Sequence, residues 1–228
     1  MKDAVASAYA RVRERIARAC ARAGRAPDAV RLVAVSKSFP AERVLELAAC
    51  GHTLFGENRV QEALGKIERV GPGVSWHLVG HLQRNKARQA VGTFELIHGV
   101  DDAELAREIA RRAAARGIRQ QLLVQLNLAQ EATKSGVAEA ELWPLLELVA
   151  GLPALELRGL MTIPPLPAAP EDSRRWFALL RERRDAAARR FGQPLPELSM
   201  GMTDDFEVAV EEGATLVRVG RALFGERR

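Results

Sequence analysis

Lys37 ends an apolar run, Val33-Ala34-Val35-Ser36-Lys37, in a chain of 228 residues that holds only five lysines but 29 arginines. If that run is a β-strand, the lysine stands at its carboxyl end. A neutral amine there attacks a carbonyl carbon and forms a Schiff base, which an arginine cannot do. The plain alternative is a lysine that leaves the strand for solvent. Two further apolar runs end in glycine: Leu198-Ser199-Met200-Gly201-Met202-Thr203-Asp204 and Val217-Arg218-Val219-Gly220-Arg221. Such glycines let backbone N–H groups approach an anion, with the Ser199 hydroxyl as one more donor; each alone also suits an ordinary turn. Arg218 lies between two valines. Pointing inward it needs a partner or a ligand; pointing outward it pairs with a helix carboxylate. Asn58, in Gly56-Glu57-Asn58-Arg59, offers an amide to a ligand or caps the next helix. A lysine, two glycine turns and an inward arginine together suit a phosphorylated carbonyl compound. His77 and His81 are four apart, but Gly80 and a strand end separate them and no third ligand accompanies them, so no metal site is expected.

These residues need a scaffold that brings strand ends together. Short apolar runs alternate with longer amphipathic ones: Val30–Val35, Thr53–Phe55, Ser75–Val79, Phe94–Val100, Gln121–Leu126, Leu155–Met161, Glu197–Met200 and Thr215–Val219 read as strands. Near-continuous apolar runs are the mark of parallel strands buried on both faces. Before them, Val5, Tyr9, Val12, Ile16 and Cys20 recur at helical spacing, and Gly24 and Pro27 stop that helix. Pro40 suits a first helical turn, Asp101 with Glu104 resembles a capping box, and Thr203 precedes Asp204 and Asp205 at a helix start. Gly51, Gly117 and Gly213 end helical patterns. Ile163–Pro170, with four prolines, is a loop. Eight βα units with an extra N-terminal helix fit one (β/α)8 TIM-type barrel, helix over 1–24 and barrel over 30–228; a doubly wound sheet is the alternative. In such barrels chemistry sits where the strands end, which is where Lys37, Gly201 and Gly220 lie.

Composition narrows the function. With 47% hydrophobic residues the chain can bury a large core, which excludes general disorder. No apolar stretch approaches the roughly 20 residues of a spanning helix, and the N-terminus has no apolar signal core. Cys20 and Cys50 form neither a disulfide framework nor a metal spacing, so a cytoplasmic setting is expected. The net charge of +5 suggests nucleic acid, but the arginines are spread along the helices beside Glu and Asp, and aromatics make up 5%. A solvated helical surface is the better reading.

Six segments then become specific in combination: Ala34-Val35-Ser36-Lys37, Phe55-Gly56-Glu57-Asn58, His77 through Lys86, Gly159-Leu160-Met161-Thr162, Leu198 through Asp205 and Val217-Arg218-Val219-Gly220. In this order, from about Leu32 to Gly225, they resemble the pyridoxal phosphate homeostasis protein family, single-domain relatives of the alanine racemase barrel. The resemblance implies that Lys37 carries pyridoxal 5′-phosphate (PLP) as a Schiff base. It implies that Ser199, Gly201, Met202, Gly220 and Arg221 surround the phosphate, that Arg218 faces the pyridine nitrogen and that Asn58 lies near the ring. The family often has a small hydroxyl residue where this chain has Arg221. Lys134 matches a family lysine regarded as a secondary cofactor contact.

The implied role is storage, buffering or delivery of PLP, with little or no turnover, possible transfer to PLP-requiring apo-enzymes, and a monomeric state. An arginine beside the pyridine nitrogen disfavours its protonation and weakens the ring as an electron sink. The alternative is a PLP-dependent racemase or lyase. In alanine racemase the second proton donor is a tyrosine from a separate domain, and the one tyrosine here is Tyr9 in the first helix.

Overall fold

The computed structural model describes residues 2–131 and 134–226; the expected bounds at 1 and 228 lie outside the described residues. Helix α1 (Lys2–Arg22) leads into β1 (Arg31–Val35), α2 (Ala41–Ala48), β2 (Leu54–Glu57), α3 (Val60–Val70), β3 (Ser75–His81), α4 (Ala87–Ala90) and β4 (Leu96–Val100). The chain continues through α5 (Ala103–Ala114), β5 (Gln120–Leu126), α6 (Glu139–Ala150), β6 (Leu155–Thr162), α7 (Arg174–Phe191), β7 (Glu197–Ser199), α8 (Phe206–Glu211), β8 (Leu216–Val219) and α9 (Arg221–Phe224). The strands pair in parallel in sequence order, and β8 closes on β1 with Val33 opposite Arg218. The fold is therefore a (β/α)8 barrel with an added N-terminal helix, and not a doubly wound sheet.

Successive strand residues face opposite sides, so each apolar run feeds two cores. Val33, Val35, Val79, Leu96, Leu123, Met161 and Leu216 fill the barrel interior. Their neighbours Leu32, Ala34, Phe55, Leu78, Ile97 and Val217 face the helices, packing with Val44, Leu47, Ile109 and Phe177 in the larger outer core. Full burial of each such aliphatic or aromatic side chain contributes about 1.5–3 kcal/mol, which is what selects runs apolar on both faces. Helix α1 buries Val5, Val12, Ile16 and Cys20 and lies against α2, α8 and α9.

Strands β2 and β3 run two residues beyond their apolar runs, because a buried partner satisfies Glu57 and because Gly80 allows β3 to pass close to Asn58. Gly51, Gly117 and Gly213 all adopt positive φ where helices end, as the sequence indicates. Three local expectations are corrected. Asp102, not Asp101, caps α5, accepting from the Leu105 N–H at 2.7 Å, while Asp101 accepts from the Gly136 N–H. Helix α8 starts at Phe206, because Asp205 folds back to accept the Met202 N–H at 2.8 Å. Asn58 does not cap α3, whose N-cap position is Arg59.

Among the described residues no helix is long and apolar enough to cross a membrane. Many arginines pair with helix carboxylates: Arg22 with Glu211, Arg111 with Glu108, and Arg174 and Arg181 both with Glu212.

Candidate functional site

A cavity of about 450 Å³ opens where the strands end, bounded by Val35, Lys37, Asn58, Val79, Ile163, Met202, Thr203, Asp204, Arg218, Gly220 and Arg221. That volume and its mix of apolar walls with a few polar groups are typical of a small-molecule site.

Lys37 projects into it from a turn that is braced on both sides. The Ser36 N–H donates to Gly56 O at 3.0 Å, and the Ser36 hydroxyl donates to Glu57 Oε1 at 2.6 Å. The Ser38 N–H donates to Glu62 Oε1 at 2.6 Å. Lys66, on α3, ties these together by donating from Nζ to Ser36 O, Glu57 Oε1 and Glu62 Oε1 at 2.6–2.7 Å. Burial pushes the Glu57 carboxyl up, and Lys66 and Ser36 pull it partly back. Burial also opposes ionisation of Glu62, but Lys66 and the Ser38 N–H outweigh it and hold that carboxyl below its usual range. The bracing matters because Ser38 has φ 66°, a left-handed conformation that costs a non-glycine residue about 1–2 kcal/mol.

Arg218 points inward and is 5% exposed. It donates from Nη1 to Ser199 Oγ at 2.6 Å and from Nη2 to Thr162 O at 2.9 Å, both neutral partners. Burial lowers its guanidinium to about 10, so it remains a cation at neutral pH. Asn58 is placed by close backbone approach: a Cβ at position 80 would lie 2.4 Å from Asn58 O, so only glycine fits there. Gly201 (φ 89°) lets the chain leaving β7 press against α8, where a Cβ would stand 2.5 Å from Ala209 Cβ. Arg221 pairs with Asp204 at the rim, neutralising a carboxylate beside the glycine turns.

The chain matches the family described as alanine racemase, N-terminal domain, over residues 8–228. It is 48% identical over 219 residues to the pyridoxal phosphate homeostasis protein of Aquifex aeolicus, covering 96% of each chain. The chain belongs to the pyridoxal phosphate homeostasis protein family. The structure of PipY from Synechococcus elongatus with PLP bound is similar to it, with a TM-score of 0.86 and 38% identity over 97% of this chain and all of that one. Alanine racemase from Corynebacterium glutamicum shares the fold alone: TM-score 0.73 at 21% identity, over 98% of this chain and 61% of the racemase.

Of the residues expected in the site, Lys37, Asn58, Met202, Arg218, Gly220 and Arg221 line the cavity. The Met202 N–H is taken by Asp205. Ser199 sits behind Arg218, its hydroxyl between Arg218 and His98, and Gly201 acts through its backbone conformation. Lys134 donates to Glu131 Oε1 and Pro164 O at 3.0 and 2.9 Å. His77 and His81 do not converge: His77 is buried in the barrel, and His81 is largely exposed with Asp101 at 3.4 Å. Sequence reasoning missed Lys66 and His98. An i,i+4 spacing from Glu62 signals Lys66, and for His98 the only signal is a polar residue inside an otherwise apolar strand.

Proposed function

We propose that the chain binds pyridoxal 5′-phosphate at the barrel mouth, anchored covalently on Lys37, and serves intracellular PLP homeostasis by storing, buffering or delivering it. The observation that carries this reading is the convergence of Lys37 and Arg218 on one cavity.

The residues fit the group. Lys37 supplies a primary amine for the aldehyde. Val35, Val79 and Ile163 provide apolar walls for the ring, with Asn58 beside them. Arg218 can only donate, so a ring nitrogen facing it accepts and stays unprotonated. Thr203, Gly220 and Arg221 border the part of the cavity suited to phosphate, with Met202 and Gly201 shaping the turn and Ser199 holding Arg218 from behind. PLP supplies an electrophilic aldehyde that condenses with amines, and holding it on Lys37 masks that reactivity. Arginine opposite the ring nitrogen restrains carbanion chemistry, which suits holding over turnover.

The racemase or lyase reading has no support at the site. Tyr9 lies on α1 with its ring edge-on to His52 at 5.3 Å, away from the cavity lining. On our reading the chain is one cofactor-binding barrel domain acting as a cytoplasmic monomer, with PLP-requiring apo-enzymes as recipients. Titrating the purified chain with PLP tests it. The prediction is a saturable visible absorbance band at one equivalent, and release to an apo-enzyme that regains activity. Absence of saturable binding contradicts it.

A further inference from the structure

Four buried or nearly buried side chains from four strands form a file of hydrogen bonds through the barrel interior. Arg218 on β8 donates to Ser199 Oγ on β7 at 2.6 Å. Ser199 Oγ lies 2.8 Å from His98 Nδ1 on β4, and His98 Nε2 lies 3.0 Å from His77 Nδ1 on β3. Ser199, His98 and His77 are all 0% exposed. At the far end, His77 Nε2 faces Glu95 Oε1 at 4.0 Å, beyond hydrogen-bond reach, so the carboxylate acts on that nitrogen through its field. Glu95 immediately precedes β4 and is 44% exposed, so the file runs from the mouth cavity to solvent at the other end of the barrel.

Donor and acceptor chemistry favours one direction for the hydrogens along the file. A guanidinium has donors and no acceptor, so Ser199 Oγ accepts from Arg218. In the forward direction its one hydrogen goes to His98 Nδ1, its remaining partner among the described residues. A neutral imidazole carries one N–H, so His98 bears it on Nε2 and gives it to His77 Nδ1. His77 then carries its own hydrogen on Nε2, aimed at Glu95. Running the file backwards would leave a bare lone pair on His77 Nε2, which is buried without a hydrogen-bond partner, against a carboxylate. The forward direction is therefore favoured, with both rings as Nε2–H tautomers.

We propose that His77 and His98 are positioning residues for Arg218: with their tautomers set by Glu95, they keep the Ser199 oxygen turned to the guanidinium and so hold it against the cofactor ring. The cofactor part of this inference rests on the PLP reading above. The aligned O–H and N–H dipoles present their negative ends to Arg218, whose direct partners are neutral. Burial keeps both imidazoles neutral, so the file adds no cation beside the arginine. The charged groups around the pair are Arg218, Glu95 and the Arg31–Glu197 ion pair, which is closed at 2.7 Å.

The test uses the full chain, first without and then with PLP. Long-range ¹⁵N–¹H correlation spectra of the ligand-free protein should show Nε2–H tautomers for His77 and His98, and slow rotation of the Arg218 guanidinium. Glu95→Lys places a donor where the acceptor stood and should convert His77 to Nδ1–H, speed Arg218 rotation and raise the PLP dissociation constant about tenfold. Glu95→Gln, whose amide oxygen still accepts, should keep the wild-type pattern. A wild-type Nδ1–H tautomer on either ring overturns the proposal. So does Glu95→Lys if it flips His77 yet leaves Arg218 rotation and PLP affinity unchanged. If wild type shows the expected tautomers and rotation but binds no PLP, the file stands as the brace of Arg218 and the cofactor reading falls.

Discussion

Lys66 donates to the Ser36 carbonyl at 2.7 Å, so a helix lysine grips the residue before Lys37. Lys66 and Glu57 are both buried, and each compensates the other's charge. Lys66→Met leaves Glu57 unpaired, which costs about 3–5 kcal/mol in denaturant unfolding. Pairing it with Glu57→Gln should recover much of that loss. Affinity for PLP should fall at least about tenfold in the single variant, since the Lys37 turn loses its brace. A Lys66→Met protein as stable as wild type would show that the cluster contributes nothing.

Arg218 pairs with a hydroxyl and a carbonyl instead of a carboxylate, so on the PLP reading proposed above its burial serves binding at the expense of stability. Arg218→Met should unfold at equal or higher denaturant, by up to about 1–4 kcal/mol, while PLP retention drops and the visible band shifts. Unchanged retention and spectrum would remove Arg218 from the site.

Gly80 admits the Asn58 backbone at a distance no side chain allows. Gly80→Ala should cost about 1–3 kcal/mol through overpacking and displace Asn58 from the cavity wall. Thermal melts and the PLP titration measure both effects, and a neutral substitution would refute the close approach.

Burial pulls His52, His77 and His98 below the usual 6.5. Unfolding lets them take up protons near that value while the native rings stay neutral. The unfolded state therefore binds more protons, and stability should fall as pH drops below 6.5 and be fully present above it. Glu57, raised by burial, acts with the opposite sign just above its usual 4.5. Melting temperatures are thus best compared between about pH 7.5 and pH 5.5. A flat profile would mean that these rings are not buried as neutral groups.

The barrel was legible because short near-continuous apolar runs and glycine punctuation are local properties. Lys37 could be placed at a strand end, and Arg218 within the last strand, from neighbouring residues alone. Local reading could not show which way Arg218 points, because that depends on the β1–β8 closure setting it beside Val33. The expected role of Ser199 at the phosphate overlooked His98, which is 101 residues away in sequence and reaches Ser199 only across the closed barrel. Lys66 reaches the Lys37 turn only because α3 folds back over it, which no neighbouring residue of Lys37 shows. Boundary errors at Asp101 and Thr203 arose where adjacent acidic residues compete to cap a helix and only packing chooses between them.

On the PLP reading Lys37 is the covalent anchor. Borohydride reduction of the PLP-loaded chain, followed by proteolysis and peptide mass mapping, tests it most directly. The predicted result is one reduced pyridoxyl adduct, on the peptide containing Lys37. An adduct confined to Lys66, Lys86 or Lys134, or no adduct at all, would contradict it.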